Sequence, residues 1–307
     1  MATFLFRRLI LAIFVVLAVA TLTFFAMRLN GSNPIAESMS ASGASQQAIA
    51  SAERALGYDR PLVAQYGTFL GQLLHGNLGT SVSYEQADVS LISERAPFTL
   101  ELAGAALAIT LIVGIPIGIV SAIRRGSFAD RLSLLFAGLG QSVPSFVAGP
   151  VLILVFAVWL RWLPVAGAAS VSSVVLPAVT LALYPAARVA RLLRASMLDV
   201  LKADYVTTAR AKGLAERLVV FSHIFRNALL PVLTIVGLQI IGLLGGAVVV
   251  ESVFGWPGIG SLAVSALLNS DFPLVQAIVI VSAVAVVVVN LLTDLLYALA
   301  DPRIKVR

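Results

Sequence analysis

The run Asp199-Val200-Leu201-Lys202-Ala203-Asp204-Tyr205-Val206-Thr207-Thr208-Ala209-Arg210-Ala211-Lys212-Gly213-Leu214-Ala215-Glu216-Arg217 is a basic, helix-forming stretch set between two apolar ones, at about residues 174–193 and 228–250. A membrane helix needs roughly 20 apolar residues to cross about 30 Å of hydrocarbon, and each flanking run is that long. Lys and Arg collect in the cytoplasmic loops of membrane proteins, so this loop reads as cytoplasmic. Four further apolar runs lie at about residues 9–27, 98–123, 132–160 and 274–297. The run at 132–160 is long enough to tilt, or to break at Pro144 and Pro150. Charge within the runs is sparse: Glu101 starts the second, and Arg188 and Arg191 stand near the end of the fourth.

Composition agrees. Of 307 residues, 59% are hydrophobic and 12% charged, and the mean hydropathy is +0.99. A soluble domain carries about 25% charged residues, so a soluble enzyme is excluded. The chain reads as an all-α polytopic membrane protein with six transmembrane helices and both termini cytoplasmic. Sixteen of the 21 Lys and Arg, from Arg7 and Arg8 to Arg303, Lys305 and Arg307, fall on the side of the quoted loop. Arg28, Arg54, Arg60, Arg95 and Arg161 fall on the other, and residues 251–273 contain no Lys or Arg. The net charge of +6 is therefore a topology signal and not a nucleic-acid footprint.

The organisation that follows is a transmembrane helix over 1–28, an external segment over 29–96, a transmembrane core over 97–300 carrying the cytoplasmic loop 194–227, and a cytoplasmic tail over 301–307. Arg7-Arg8 and Ala18-Val19-Ala20 mimic a cleavable signal peptide, but the apolar run continues through Phe24 and Phe25 to Met27, so a retained helix is expected. In the external segment, 45–56 reads as a helix closed by Gly57. Pro61 suits the first turn of another, in which Leu62, Tyr66, Phe69, Leu70 and Leu73 share a face and Gly76 is the stop. Such a pair either lies on the membrane surface and caps the bundle, or forms a docking surface or gate for an external solute-delivering protein.

Several chemistries are missing. Cysteine is absent and the two histidines, His75 and His223, are far apart. That excludes disulfides, thiolate metal sites and an H-E-x-x-H motif. Lys202, Lys212 and Lys305 follow Leu201, Ala211 and Ile304, so no phosphate-binding Gly-Lys loop exists. No G-x-S-x-G is present, and Ser142 and Ser282 have no histidine at helical spacing. The expectation is a chain that is not an enzyme and holds no cofactor or metal of its own.

The uncharged Gln239 and Asn290 are the interior polar groups, serving as interhelical hydrogen bonders or as lining of a solute path. The lack of interior carboxylates counts against the alternative reading, an ion-coupled secondary transporter working alone. Gly114-Ile115-Pro116-Ile117-Gly118 and Gly242-Leu243-Leu244-Gly245-Gly246 place small residues four apart, the pattern of close helix contact. Pro116, Pro144, Pro150, Pro177 and Pro185 are expected to kink or break their helices. In the basic loop, Thr208, Ala209 and Ala211 are small, Gly213 interrupts the helix, and a second helical stretch leads through His223 and Arg226-Asn227. Small residues permit close approach and basic ones meet acidic rims, so the loop suits a partner's groove. An ordinary solvated basic loop fits the same residues.

The run Asp204 to Leu214, followed by Arg226-Asn227-Ala228-Leu229-Leu230-Pro231, resembles type I ABC importer permeases. Within them it is most similar to the first permease subunit of dipeptide, oligopeptide and nickel transporters. That family's EAA signature falls on Thr207, Thr208 and Ala209, with its glycine on Gly213. Thr207 replaces the signature's acidic residue and Arg226 its proline. Phe6-Arg7-Arg8-Leu9, Leu56-Gly57-Tyr58-Asp59-Arg60-Pro61-Leu62, His75-Gly76-Asn77-Leu78-Gly79, the stretch from Glu251 to Gly260 and Asp301-Pro302-Arg303-Ile304 are similar as well. A glycine-aspartate-proline expected after the first span is replaced by Ser32-Asn33-Pro34.

The resemblance implies the type I ABC importer permease fold in the inner membrane of a prokaryote. It implies a second homologous permease, two ATP-binding subunits that hold ATP and Mg, and an external solute-binding protein. Asp204, Tyr205, Thr207, Thr208, Ala209, Arg210, Ala211, Lys212 and Gly213 would then form the coupling helix seated on an ATPase. Gly213→Asp is expected to abolish transport while the chain stays in the membrane. Peptides or peptide-like solutes are the implied cargo, with nickel chelates, haem, sugars and opines left open.

Overall fold

The computed structural model describes residues 2–28, 36, 39–40, 43–56 and 59–300. The expectations for Ser32-Asn33-Pro34, Gly57 and the tail 301–307 lie outside the described residues. In chain order the helices are α1 (Ala2–Ala26), α2 (Gln46–Leu56), α3 (Leu62–Leu74), α4 (Asp88–Ile123), α5 (Phe128–Ser142) and α6 (Ser145–Leu152). There follow α7 (Val175–Val200), α8 (Asp204–Ala211), α9 (Glu216–Leu218), α10 (Arg226–Phe254), α11 (Ile259–Leu268) and α12 (Phe272–Ala300). Wide i→i+5 turns extend α6 over Ile153–Trp159 and join α9 to α10 over Val219–Phe225.

Five continuous helical stretches are long and apolar enough to cross a membrane: Phe6–Ala26, Asp88–Ile123, Val171–Val200, Glu216–Phe254 and Phe272–Asp294. Taken together, α5 with α6 and its extension are long and apolar enough for a sixth, but the pair is bent by 110°, the shape of a broken span or of a re-entrant loop. The bend follows from Pro144. A residue before proline is driven out of the helical region, and Val143 is extended at φ −91°, ψ 116°. Pro144 then opens α6.

The other prolines do not break their helices. Pro150 lies inside α6, Pro185 inside α7 and Pro231 inside α10, while α4 runs unbroken through Pro97 and Pro116. Pro177 falls in the first turn of α7, where a missing N–H costs nothing. Two spans also exceed their apolar runs. Ten residues of α4 precede residue 98, and α7 ends at Val200 rather than 193.

The chain forms two compact units, one of residues 1–98 with 257–307 and one of residues 99–256. In the first, Leu91 and Ile92 pack with Leu262, Ala266, Leu274, Ala277 and Ile278. The segment after α1 docks through aromatic rings, with Phe69 stacked 5.2 Å from Phe24 and Tyr66 edge-on to it. The Thr21 and Tyr66 hydroxyls meet at 2.7 Å, and the Arg28 guanidinium lies 3.8 Å over the Phe24 ring. So α3 caps the end of α1; Pro61 stands as its N-cap, one residue outside the helix. The buried Asp271 accepts Ser81 Oγ at 2.5 Å, the Ser83 amide at 3.0 Å and the Leu274 amide at 3.3 Å. One carboxylate thus caps α12 and pins the loop ahead of α4. At the opposite ends of the same helices Arg8 pairs with Asp294 at 2.8 Å, joining the start of α1 to the end of α12.

The second unit is built around α7, whose face from Leu176 to Met197 is buried. A Cβ at Gly114 would sit 2.8 Å from the Ala186 carbonyl, and one at Gly118 2.9 Å from the Ala190 carbonyl. The first glycine pair therefore makes the close helix contact read from its spacing. Gly140 does the same against Ala187. The second pair departs from expectation: Gly242 and Gly245 face open space, and Gly246 meets only the end of Leu181.

Candidate functional site

Two places in the second unit concentrate function-bearing residues. The first is α8 and its mounting. Tertiary packing, not propensity, holds so short a helix. Val206 and Ala209 are buried against Met197, Val219, Val220 and Ile224. The remaining face, Tyr205, Thr207, Thr208, Arg210, Ala211, Lys212 and Gly213, is exposed. Ala209, one of the signature positions, therefore packs inward, while Thr207 and Thr208 face outward.

The turn out of α8 needs Gly213, at φ +75°, a conformation that costs a residue with a Cβ about 1–2 kcal/mol. Across it Arg210 grips Glu216 through Nε at 3.1 Å and a second nitrogen at 2.6 Å. Those hydrogen bonds to the Glu216 carboxylate hold the Arg210 guanidinium above its ordinary pKa.

Above α8 lies a pair that sequence reading missed. Arg194 of α7 donates to both carboxylate oxygens of Asp130, at 2.8 and 3.0 Å. Asp130, 3% exposed, also accepts Ser121 Oγ at 2.5 Å and the Gly126 amide at 2.9 Å. One carboxylate thus joins the end of α4, the α4–α5 turn and α7. The local cue was visible, since Ser127 caps α5 by accepting the Asp130 amide. No pattern in the chain marks the partner 64 residues away.

The second place is a cavity of about 440 Å³ at the Pro144 break, lined by α5, α6, α7 and α10. Gln239 lines it, 6% exposed, with neither amide atom hydrogen-bonded, and Gln141 brings a second unpartnered buried Nε2. Arg188, Tyr184, Thr180, Ser142 and Ser145 complete the polar part of its wall. Asn290 lies elsewhere, in a smaller crevice of the first unit beside Arg8 and Asp294. Gln141 and Arg188 were not singled out for this role; their shared cavity depends on the fold of the break.

The buried carboxylates also correct the reading of an interior without acids. Glu251, fully buried three residues from the end of α10, accepts the Thr99 hydroxyl at 2.7 Å. Asp88, Asp130 and Asp271 are buried as well. Each lies at a helix end, where sequence alone places it in water. Among the described residues no group of three or more acidic or histidine side chains could hold a metal ion.

Comparison with known proteins assigns the class. Residues 114–306 match the family described as binding-protein-dependent transport system inner membrane component, and residues 1–103 match its N-terminal counterpart. The chain belongs to this family: it is a multi-pass inner-membrane permease component. It is 38% identical over 333 residues to the di/tripeptide transport system permease protein DppB of Pseudomonas aeruginosa, spanning 99% of each chain. It is 44% identical over 250 residues to the glutathione transport system permease protein GsiC of Pectobacterium atrosepticum, spanning 81% of this chain and 82% of that one. In fold it is similar to the inward-facing MetNI methionine ABC transporter, with a TM-score of 0.58 at 15% identity over 69% of this chain and 97% of that one. An amino acid ABC transporter gives 0.55 at 18% identity, over 68% and 94%.

Proposed function

We propose that this chain is the permease subunit of an ATP-driven ABC importer, forming half of the translocation path for peptides or peptide-like solutes. The relatives named for di/tripeptide and glutathione transport support the cargo class. A second homologous permease forms the other half, two ATP-binding subunits carry ATP and Mg, and an external binding protein delivers solute. This chain hydrolyses no ATP.

The observation that carries the coupling role is the mounting of α8. Its inner residues are locked into the core beneath α7, its outer face is bare, and the Arg210–Glu216 pair stiffens the exit. A helix held this way moves as a rigid part of the spans above it. Closure of the ATPase pair would displace it and turn the path outward. The Arg8–Asp294 pair supports an arrangement with both termini on the cytoplasmic side, as the Lys and Arg distribution does.

The test is a tagged purification of this chain from native membranes in mild detergent, with co-purifying chains identified by mass spectrometry. A second permease and one or two P-loop ATPases are the expected partners. Repeated recovery of the intact chain alone would contradict the assembly.

A further inference from the structure

We propose that the cavity at the Pro144 break is a solute subsite that takes a free carboxylate together with the peptide group beside it. The inference rests on the permease reading and names which residues of this chain meet the cargo.

The Ser142 and Thr180 hydroxyls in the cavity wall donate to carbonyls one turn back, but the amides there lack protein partners. Buried amides are ordinarily hydrogen-bonded, and leaving one unmade costs more than replacing it with carbon. Yet Gln239 keeps both its amide atoms unbonded at 6% exposure, and Gln141 Nε2 is unbonded too. Arg188 makes no hydrogen bond or ion pair among the described residues. It stands 12 positions before the end of α7, about 18 Å along the helix, where the apolar run gives way to the basic residues Arg191 and Arg194. Its side chain is exposed and lines the cavity, so the guanidinium is open to a ligand there.

The break adds a second source of positive potential. The Val147 and Ala148 amides turn back to the Pro144 carbonyl, leaving the Ser145 and Phe146 amides as free donors at the start of α6. Broken membrane helices use such ends to meet anionic groups of solutes.

These groups define the ligand's chemistry. An amide side chain donates and accepts together, matching a peptide C=O and N–H. The guanidinium and the helix start match a carboxylate. No His, Asp or Glu lines the cavity, so a bare metal cation finds no ligand there. A volume of about 440 Å³ lies within the range of small-molecule pockets. The pocket therefore suits the C-terminal end of a short peptide.

The test uses the whole importer in proteoliposomes, with one binding protein throughout, and compares uptake of trialanine and trialanine amide. Because delivery is constant, a change in the acid-to-amide ratio originates in this chain. Arg188→Gln is expected to raise KM for trialanine about tenfold, the scale of one charge-assisted hydrogen bond, and to leave that for the amide within about twofold. Arg188→Lys, which keeps the charge, is expected to restore the preference for the acid, separating recognition from misassembly. Gln239→Leu removes an unsatisfied buried amide, so the complex is expected to assemble with KM raised for both peptides.

Wild-type KM values in Arg188→Gln and Gln239→Leu would overturn the subsite and leave the permease reading standing. Loss of acid preference in Arg188→Lys as complete as in Arg188→Gln would also overturn it. A wild-type importer that moves neither peptide would contradict the peptide cargo itself, and the subsite would fall with it.

Discussion

At the scale of single residues, identical patterns hide different energetics. Gly118 and Gly242 both sit in a small-residue repeat, but only Gly118 faces a backbone carbonyl at a Cβ distance of 2.9 Å. Gly118→Ala is expected to destabilise the purified complex by about 1–3 kcal/mol, the range for overpacking a tight contact. Gly242→Ala meets nothing within 4 Å and removes helix-weakening backbone freedom, so it is expected to be neutral or slightly stabilising. Thermal unfolding of the two variants decides this; equal losses would contradict the packing. The repeat spacing was legible in the sequence, but which repeat touches a neighbour depends on where α7 lies.

The Asp130–Arg194 pair makes the same point for charge. Read as sequence, Arg194 is one more basic residue marking the cytoplasmic side. In the fold it is the bidentate partner of a carboxylate that is 3% exposed. Arg194→Leu strands that carboxylate and is expected to cost about 3–5 kcal/mol. Asp130→Asn combined with Arg194→Leu is expected to recover part of the loss. Urea or thermal unfolding of the single and double variants measures the coupling, and additive effects would show that the pair is not an energetic unit.

At the scale of elements, the spans were legible because apolar length and basic loops report directly on the solvent each segment meets. Breaks were not. Five prolines were expected to kink or break helices, and Pro144 alone among them separates two helices, because Val143 ahead of it is free to extend. Pro116 sits between Gly114 and Gly118, which pack against α7, and α4 continues through it. Proline removes a hydrogen bond wherever it stands; whether the chain bends depends on what packs around it.

In α8 the helix and the glycine stop could be read from the sequence, but the inward turn of Ala209 could not. Gly213→Val places a branched residue at φ +75° in otherwise open space. It is expected to abolish ATP-driven uptake while chain levels in the membrane stay within about twofold, since the strain of about 1–2 kcal/mol is local. Arg210→Ala, which opens a pair exposed at both ends, is expected to cost no more than about 1 kcal/mol of stability. Full uptake by Gly213→Val would remove the reason for a rigid exit from α8.

At the scale of the molecule, composition alone separated this chain from soluble proteins, and the distribution of Lys and Arg supplied an expectation for the sides of the membrane. The carboxylates that hold each unit together were invisible at that level, because a helix-end acid looks solvated until its partners arrive from distant segments. Asp271 meeting the loop after Gly79, and Glu251 meeting Thr99, are of this kind. The assembly follows from what the chain exposes as much as from what it buries. It presents on one basic loop a short helix whose outer face is exposed among the described residues.

The absence of cysteine makes that claim directly measurable, since any introduced thiol is unique in this chain. Thr207→Cys and Thr208→Cys stand on the exposed face of α8, and Val206→Cys on the buried one. In native membranes, a short thiol-to-amine cross-linker is expected to join the exposed positions to an ATP-binding subunit and to leave Val206→Cys unlinked. Thr207 and Thr208 thiols that are modified by a small maleimide yet never cross-link to an ATPase would contradict the account.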